Sequence, residues 1–286
     1  MITGKTKVVG VIGYPIEHSM SPVMHNAALQ ESELDFVYVP FEVNPAEVER
    51  AIKAIRSYGI IGINVTIPHK ETVVRFLDKL DESAKHIRAV NTIHNKDGKL
   101  VGYNTDIYGF ITSLKDIGGF EPREKSVFVL GSGGAARAVV YGLVKEKVER
   151  LFISDINNAR ARSFAAQVKY FFPRADLKVV HNNGHEIKEC IKECQLFVNA
   201  TPVGMKHGDC CPIDKNFIHD RLFVYDVIYN RETELLEHAR DRGVKCMNGA
   251  DMLVLQGARA FEIWTGKKAP VELMKKMLLK KLTEKR

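Results

Sequence analysis

The sequence lacks the features that mark membrane proteins, secreted disulfide-bonded proteins and zinc-binding proteins. Among its 286 residues no run approaches the roughly 18 uncharged apolar residues of a membrane-spanning helix. Its five cysteines follow no disulfide framework and include no Cys-x-x-Cys pair, which favours a reducing compartment and argues against zinc. The N-terminal stretch, broken by Gly10, Gly13 and Pro15, is not a signal peptide. We therefore expect a cytoplasmic protein without a membrane partner or a metal.

The sequence also has no internal repeat, no low-complexity segment and no basic stripe interleaved with aromatic residues, so nucleic-acid binding is not indicated. Its formal net charge is nevertheless +7. Residues 275–286 hold six basic residues and one acidic residue, and they account for most of this excess. The apolar residues of this stretch can pack while its lysines stay in water. The charge therefore says little about a ligand.

The chain is 45% apolar and 27% charged, as in globular proteins, and its length suggests two domains. Short β-rich runs alternate with helical stretches, which predicts an α/β architecture with mainly parallel sheets. The first part contains predicted strands at 8–13, 36–41 and 60–65, and predicted helices at 22–31 and 45–57. Strands at 89–94 and 100–104 flank Asn95-Lys96-Asp97-Gly98 and predict a hairpin, because Asp-Gly readily adopts positive φ.

A second α/β unit begins after residue 125 and has the same alternation. Its predicted strands are 126–130, 151–154, 196–199 and 222–226. The predicted helices of this part and of the C-terminus are 134–145, 159–169, 250–264 and 271–282. The two units join near Asp106.

The segment from Val127 to Ala136 reads as a strand, a glycine-rich turn and a helix, with the pattern Gly-x-Gly-x-x-Ala. Gly131 permits the tight turn, Gly133 lets a pyrophosphate approach closely, and Ala136 lets the helix pack on the strand. Free amide groups and the helix dipole favour an anion at such a helix N-terminus. The segment predicts dinucleotide binding, although a turn without a ligand can have the same pattern.

Asp155 ends the next predicted strand. Its distance along the sequence from Gly131 is close to the roughly 20 residues expected for a carboxylate that holds a ribose 2′-hydroxyl. Such a carboxylate repels a 2′-phosphate and therefore favours NAD over NADP. Two alternatives stay open. Asp155 can cap the helix that opens at residue 157 or 158, and Arg160 or Arg162 can reach a 2′-phosphate.

Several polar segments lie in the first part of the chain. The hydroxyl groups of Ser19 and Ser21, two residues apart in an extended segment, can hold a carboxylate jointly. Ser21 is also expected to cap the helix that Pro22 begins. The segment 64–70 ends on His69 and Lys70, and the segments 89–92 and 102–106 follow. His69 either tunes a site or is a polar residue at a strand end, and a lysine taken alone is usually a solvated charge.

These segments, together with 199–205, 226–230 and 256–266, resemble the shikimate dehydrogenase family along nearly the whole chain. The resemblance implies a substrate-binding domain at 1–105, with the helices of 250–286 packed back on it. It also implies a Rossmann-type NAD(P)-binding domain at 106–249 and an active site in the cleft between the two. The implied reaction is the reversible reduction of 3-dehydroshikimate to shikimate in aromatic amino-acid (chorismate) biosynthesis.

The resemblance also implies roles for individual residues. Lys70 and Asp106 match the catalytic acid–base pair, and Ser19 and Ser21 match the hydroxyl groups that bind the carboxylate. The groups around the cyclohexene ring are matched by Thr66, Asn91, Tyr229 and Gln256. The pyrophosphate turn is matched by Gly131, Ser132, Gly133, Gly134 and Ala135, and the nicotinamide site by Val227 and Gly249.

The sequence departs from the family pattern for NADP at Asp155 and Ile156, where many members carry asparagine and arginine. This departure resembles the NAD-using quinate/shikimate branch, whereas the Ser-x-Ser pair is typical of shikimate-directed members. We therefore expect a small anionic substrate, NAD or NADP with a preference for NAD, and a monomer or homodimer. The open alternatives are an NAD-dependent quinate/shikimate dehydrogenase, a dehydrogenase for another hydroxy acid, and a non-enzymatic dinucleotide sensor.

Overall fold

The computed structural model describes residues 2–284 and contains twelve strands and ten α-helices in that range. The strands are β1 (Lys7–Gly13), β2 (Phe36–Glu42), β3 (Gly62–Val65), β4 (Lys79–Leu80), β5 (Thr92–Lys96), β6 (Lys99–Tyr103), β7 (Ser126–Leu130), β8 (Arg150–Ser154), β9 (Leu177–Val179), β10 (Leu196–Asn199), β11 (Phe223–Asp226) and β12 (Cys246–Asn248). The helices are α1 (Ser21–Glu31), α2 (Val48–Ser57), α3 (Glu82–Ile87), α4 (Asp106–Thr112), α5 (Gly134–Lys145), α6 (Asn158–Phe171), α7 (Gly184–Lys192), α8 (Glu234–Asp241), α9 (Ala250–Thr265) and α10 (Val271–Thr283). No helix in the described part of the chain is long and apolar enough to cross a bilayer.

These elements form two compact units, each built on one six-stranded sheet. The first unit comprises the residues up to Gly109 and those from Val254 onwards, and the second spans Phe110–Leu253. The division falls slightly beyond the predicted boundaries at 105 and 249, because each boundary lies within a helix, α4 or α9, and not in a loop.

The sheet of the first unit is mixed, with the strand order β2-β1-β3-β5-β6-β4. β1 pairs in parallel with β2 and β3, and β5 and β6 form the predicted antiparallel hairpin. Asp97 and Gly98 form its two-residue turn and have φ values of 52° and 86°, as this type of turn requires. The strands extend further into the predicted turn than we expected, since Lys96 pairs with Lys99. The short strand β4 and helix α3 carried no clear sequence signal.

Both faces of this sheet are packed against helices or helical turns. Ile63 of β3 joins a buried cluster with Ile52 and Ile55 of α2. Because successive strand residues point to opposite faces, the neighbouring Gly62 faces the other side, where it lies against the Trp264 indole of α9. A Cβ atom at position 62 would lie 2.0 Å from the indole nitrogen. Glycine at this position therefore lets α9 approach the sheet closely.

The sheet of the second unit is entirely parallel, with the order β12-β11-β10-β7-β8-β9. The strands extend in both directions from β7, which is the doubly wound arrangement of dinucleotide-binding domains. Val127 and Val129 lie in one buried cluster, and Phe128 and Leu130 lie in another. Both faces are thus buried, as parallel sheets require. The predicted α/β fold with two units and a Rossmann-type second unit is confirmed.

Candidate active site

The predicted catalytic pair forms a largely buried ion pair in the first unit. Lys70 follows the turn after β3, and Asp106 is the first residue of α4. Nζ of Lys70 donates to Oδ2 of Asp106 at 2.5 Å, although the residues are 36 positions apart. The side chains are only 16% and 6% exposed, respectively. The fold thus holds an ammonium group after β3 and a carboxylate at the start of α4 in direct contact.

The amide group of Asn91 holds the other carboxylate oxygen. Oδ1 of Asp106 accepts from Nδ2 of Asn91 at 2.8 Å, and this nitrogen also lies 3.1 Å from Oε1 of Gln256. Oδ1 of Asn91 accepts from the backbone amide of Thr105 at 2.7 Å, and the Thr105 hydroxyl lies 2.9 Å from Nδ2 of Asn91. The structure therefore brings Asn91, Asp106 and Gln256 together. The sequence analysis did not single out Thr105, although it directly precedes Asp106.

The two serines lie where α1 begins. Ser19 is half-buried, and Ser21 is 7% exposed. Oγ of Ser19 accepts from the backbone amide of Ser21 at 3.3 Å. The expectation that Ser21 caps α1 is wrong, because the helix includes Ser21, its N-cap is Met20, and no side chain caps it. The Ser21 hydroxyl is consequently not used on the helix N-terminus.

Thr66 and His69 follow β3 and have different surroundings. Thr66 is half-buried, and its methyl group packs against Gly13. His69 is 1% exposed, and its Nε2 atom lies 2.7 Å from the carbonyl oxygen of Val43. Burial lowers the pKa of His69, so a neutral ring that donates to this carbonyl is favoured. His69 therefore ties the segment before Lys70 to the backbone of Val43. Of its two possible roles, tuning the site or a structural role at a strand end, this contact supports the structural one.

In the second unit the glycine-rich turn has the geometry that the sequence predicts. Gly131 has a φ of +113°, and a Cβ atom there would lie 2.8 Å from the carbonyl oxygen of Ala200, so glycine is required twice over. Helix α5 begins at Gly134, with Gly133 as N-cap and no side-chain cap. Its first amide groups are therefore not satisfied by a capping side chain. The turn lies beside β10, at the point where the strand order reverses.

Asp155 follows β8 directly, and both of its oxygens have partners. Oδ2 accepts from the hydroxyl of the fully buried Ser132 at 2.6 Å, and Oδ1 accepts from the backbone amide of Asn157 at 2.8 Å. The cap of α6 is the Asn157 side chain and not Asp155. The neighbouring Ile156 is 91% exposed, and the Arg160 guanidinium would lie 3.5 Å from a Cβ atom at Gly133. The carboxylate and this guanidinium therefore both lie beside the glycine-rich turn.

The residues predicted to line the nicotinamide site contact each other in the second unit. A Cβ atom at Gly249 would lie 2.1 Å from the carbonyl oxygen of Val227, so only glycine fits there. Tyr229 is half-buried, and burial raises its pKa, which keeps its hydroxyl neutral. These three residues lie at and beyond the ends of β11 and β12.

Sequence reasoning missed a buried carboxylate, Asp226, that organises this end of the sheet. Oδ1 accepts from Nδ2 of Asn199 at 3.0 Å and from the amide of Ile228 at 3.1 Å, and Oδ2 accepts from the Thr233 hydroxyl at 2.7 Å. Burial raises the pKa of Asp226 to about 6. Asn199 also donates to the carbonyl oxygen of Val203 at 3.1 Å. Asp226 thereby links the loop after β10 to the segment that carries Val227 and Tyr229.

The described residues include no group of three or more histidine, cysteine, aspartate or glutamate side chains that could hold a metal ion. His181 and Cys194 are each four residues from a second residue of the same type, His185 and Cys190. The ring of His181 lies 3.0 Å from the Asn158 amide group, and the Cys194 thiol donates to the backbone carbonyl of Cys190. The candidate site residues therefore offer hydrogen-bonding groups and the buried ion pair Lys70–Asp106.

Two family models match the chain. Residues 11–93 match the shikimate dehydrogenase substrate binding domain, and residues 249–279 match the shikimate 5′-dehydrogenase C-terminal domain. A curated relative from Methanopyrus kandleri, named shikimate dehydrogenase (NADP+), is 42% identical over 284 residues, which are 98% of each chain.

Solved structures of similar proteins cover nearly the whole chain. Shikimate 5-dehydrogenase from Listeria monocytogenes, in complex with shikimate and NAD, has a TM-score of 0.87 and 35% identity, and the match covers 97% of this chain and 98% of that one. Quinate dehydrogenase from Corynebacterium glutamicum, in complex with NAD, has a TM-score of 0.88 and 30% identity, with 96% and 99% covered. The high identity over the full length, together with the two-unit fold, shows that the chain belongs to the shikimate dehydrogenase family.

Proposed function

We propose that the protein catalyses the reversible NAD(P)-dependent reduction of 3-dehydroshikimate to shikimate, with Lys70 and Asp106 as the acid–base pair. The observation that carries this proposal is the Lys70–Asp106 contact of 2.5 Å within a site that Asn91 and Gln256 complete. When bound, the nicotinamide cofactor supplies or accepts the hydride. The protein must then supply a proton donor, a group that binds the substrate anion, and residues that hold the proton donor in place.

Lys70 meets the first need. As a ketone is reduced, negative charge develops on its oxygen, and a positioned ammonium group stabilises that charge and donates the proton. In the oxidative direction the neutral amine takes the proton from the alcohol. Asp106 holds Nζ in place through Oδ2, while Asn91 holds Asp106 through Oδ1. The lysine therefore has one anchored orientation from which to act.

The substrate contacts proposed for the first unit involve neutral groups that donate and accept hydrogen bonds. The hydroxyl groups of Ser19 and Ser21, joined by the contact of 3.3 Å at the start of α1, are proposed to bind the substrate carboxylate. Around the ring and its hydroxyl groups we place Thr66, Asn91 and Gln256 of this unit; Tyr229, which the resemblance implies for the same role, belongs to the second unit. Lys70 adds a positively charged group, so an anionic polyol is the ligand class that suits these residues.

The residues of the second unit suit a dinucleotide. The uncapped start of α5 offers amide groups to the pyrophosphate, and the proposed cradle is formed by Gly131, Ser132, Gly133, Gly134 and Ala135. Val227 and Gly249, which contact each other, are proposed to line the nicotinamide. Because Ser132 is fully buried and its hydroxyl is bound to Asp155, we expect its backbone and not its side chain to contact the phosphates.

We propose that NAD is preferred over NADP. The Asp155 carboxylate directly follows β8, where a ribose 2′-hydroxyl is held in this fold, and its charge opposes a 2′-phosphate. The exposed Ile156 offers no charge in return. The opposing feature is Arg160, whose guanidinium lies near Gly133, and the relative from Methanopyrus kandleri is named for NADP+. The cofactor assay must therefore compare the two directly.

A single set of measurements tests these proposals. Initial rates of cofactor reduction are recorded with shikimate and with quinate, each against NAD and NADP. We expect the highest kcat/KM with shikimate and NAD. A clear preference for NADP would overturn the cofactor proposal alone, whereas no reduction of either cofactor by either substrate would overturn the proposed function.

The second candidate is an NAD-dependent quinate/shikimate dehydrogenase. The similarity to the quinate dehydrogenase from Corynebacterium glutamicum favours it, as does Asp155. The same assay distinguishes the two, because this candidate predicts turnover of quinate comparable with that of shikimate.

We further propose that the protein acts in the cytoplasm as a monomer or homodimer and has no nucleic-acid partner. All five cysteines are free thiols, as in a reducing compartment. Helix α10 buries Met274 and Leu278 and leaves Lys276 and Lys280 exposed, while Lys285 and Arg286 of the basic stretch lie outside the described residues. Light scattering after size-exclusion chromatography tests the oligomeric state, and a mass above that of a dimer would contradict it.

A further inference from the structure

A long irregular loop follows β10 and lies against two parts of the proposed dinucleotide site. This loop, the β10 loop, spans residues 200–214 and contains no strand or helix. At its start, the carbonyl oxygen of Ala200 lies 2.8 Å from the Cβ position of Gly131, in the glycine-rich turn. Further on, the Cβ position of Gly204 lies 3.4 Å from the side chain of Ile228, in the segment after β11 that carries the proposed nicotinamide contact. Loops of this length in a compact unit usually have a function.

The first residues of the β10 loop are held by the strand that precedes it. The Thr201 hydroxyl donates to Oδ1 of Asn199 at 2.7 Å and accepts from the backbone amide of Val203 at 3.2 Å. Nδ2 of Asn199 in turn donates to the carbonyl oxygen of Val203 at 3.1 Å. These contacts end at Val203, so the tip of the loop, residues 204–209, depends on other partners for its backbone groups.

Within the tip, the carboxylate of Asp209 closes a turn on the backbone. Its Oδ2 atom accepts from the amides of Lys206 at 2.9 Å and Gly204 at 3.2 Å. The hydrogen bond from the Lys206 amide lowers the pKa of the Asp209 carboxyl, and the positive charge of Arg231 acts in the same direction. The carboxylate therefore stays ionised and shapes the turn, but the turn by itself does not determine where the tip lies.

Arg231, in the segment after β11, ties this turn to the rest of the unit. Its Nη1 atom donates to the carbonyl oxygen of Lys206 at 2.5 Å, and its Nε atom donates to the carbonyl oxygen of Glu232 at 3.1 Å. Two bonds from one planar group fix its orientation. The neighbouring Asn230 donates to the carbonyl oxygen of Met205 at the longer distance of 3.4 Å. Because bonds from a charged donor are the stronger ones, Arg231 is the main anchor of the tip.

We propose that Arg231 is a positioning residue for the cofactor: together with Asp209, it holds the β10 loop where the loop borders the proposed dinucleotide site. This inference rests on the proposed function and deepens it, because it makes the affinity for the cofactor depend on the order of this loop. A site that is formed for only part of the time binds its ligand more weakly by that fraction.

The test is the substitution Arg231→Ala, which removes the anchor and leaves the turn around Asp209. The dissociation constants for NAD and for NADP are measured by isothermal titration calorimetry. For the cofactor that the wild type binds, we expect Kd to rise about tenfold, as the loss of a hydrogen bond from a charged group produces. At saturating cofactor and shikimate, kcat should change less than about twofold, because Lys70 and Asp106 belong to the first unit.

Limited digestion with trypsin, which cleaves after lysine and arginine, reports the order of the tip independently of activity. Lys206 is exposed, but its backbone amide and carbonyl are both bonded in the ordered loop. Cleavage after Lys206, followed by the masses of fragments 1–206 and 207–286, should be about tenfold faster in Arg231→Ala. The matched control is Arg221→Ala, which replaces an exposed arginine of the same unit; its Kd and its cleavage rate should equal those of the wild type.

A second variant acts on the same turn from within the loop. Asp209→Ala removes the acceptor of the Lys206 and Gly204 amides, so it should also raise the Kd for the cofactor, and it keeps the test available if Arg231→Ala does not fold. If the two residues hold one structure, their effects on Kd are not additive in the double variant.

The outcomes separate this inference from the proposed function. An unchanged Kd in Arg231→Ala would overturn the role of Arg231, whether or not cleavage after Lys206 is faster, and would leave the proposed function standing. A raised Kd without faster cleavage would refute the action through the loop, and additive effects with Asp209→Ala would refute the joint action. A wild type that binds neither NAD nor NADP would overturn both proposals. A wild type that binds a cofactor but turns over neither shikimate nor quinate would overturn the proposed reaction alone.

Discussion

Replacement of Lys70 by alanine is the most direct test of the proposed chemistry. Lys70→Ala removes the ammonium group but leaves Asp106 bonded to Asn91 through Oδ1. The variant therefore lacks the proposed proton donor. General acid–base catalysis contributes about 10²–10⁴-fold to a rate, equivalent to about 3–5 kcal/mol of barrier. We therefore expect kcat to fall by about 10²–10⁴-fold.

The effect on substrate binding should be small. The substrate carboxylate is proposed to bind the serine hydroxyl groups at the start of α1 and not Lys70, so KM for shikimate should change little. The assay is the initial rate of cofactor reduction by shikimate, measured for wild type, Lys70→Ala and the control Lys85→Ala. Lys85 is an exposed lysine of α3 in the same unit.

Stability must be measured alongside the rate. Removing one partner of a buried ion pair leaves an uncompensated charge, which costs up to about 3–5 kcal/mol when burial is complete. Asp106 is 6% exposed, so some loss of thermal stability is expected, and rates are compared at a temperature where both proteins are folded. A decrease in kcat of only a few-fold, or an equal decrease in Lys85→Ala, would refute the catalytic role of Lys70.

Three further predictions concern the second unit. Asp155→Asn removes the charge, while its amide oxygen can still accept from the amide of Asn157 and its amide nitrogen can donate to the Ser132 oxygen. The ratio of kcat/KM for NADP to that for NAD should therefore rise about tenfold, or about 1.4 kcal/mol; an unchanged ratio in the kinetic assay would contradict the role of the charge. Gly131→Ala places a Cβ atom 2.8 Å from a backbone oxygen at a position with positive φ. The control is Gly119→Ala, where φ is +62° but nothing lies within 4 Å, so that only the backbone cost of about 1–2 kcal/mol applies. Urea unfolding should show a larger loss of stability for Gly131→Ala, and equal losses would count against the close contact. Because burial raises the pKa of Asp226 from 3.8 to about 6, the folded state binds the proton more tightly than the unfolded state, and this group makes stability fall as pH rises from about 4 to about 6. Asp226→Asn retains the hydrogen-bond partners but cannot titrate. Its free energy of unfolding relative to that of the wild type should therefore increase across that pH window by up to about 3 kcal/mol. If urea unfolding gives a stability difference between the two proteins that does not depend on pH, the assignment is contradicted.

Local patterns predicted much of the fold. The strands at 126–130 and 196–199 were predicted with the bounds that the structure has, because each contains a short run of apolar residues, Val127–Leu130 or Leu196–Val198, which is typical of a buried strand in a parallel sheet. Strands β4, β9 and β12 were not predicted. Each has two or three residues, and so short a segment is extended only because a neighbouring strand pairs with it.

The candidate site was predicted less evenly. The resemblance indicated Lys70, Asp106, Asn91 and Gln256, and the structure brings all four together. It did not indicate Thr105, and the sequence carried no signal for Asp226, because an acidic residue at a strand end is usually exposed. The burial of Asp226 depends on Asn199 and Thr233, which reach it from other elements.

The sequence by itself determined the features whose causes lie in adjacent residues. The Asp97-Gly98 turn and the glycine-rich turn at Gly131 are of this kind, since each depends on the backbone freedom of one or two residues. Even the charge excess of +7 was traced to one stretch near the C-terminus.

Only the tertiary structure decided which side chains meet across the chain. Tyr38 meets Asn64 because β2 and β3 flank β1, where Val9 pairs with both Tyr38 and Gly62. A shift of one residue in either pairing would turn one of the two side chains to the opposite face of the sheet. Asn91 and Gln256, 165 positions apart, meet because α9 returns to the first unit. Contacts of this kind depend on strand register and helix packing, which no short stretch of sequence encodes.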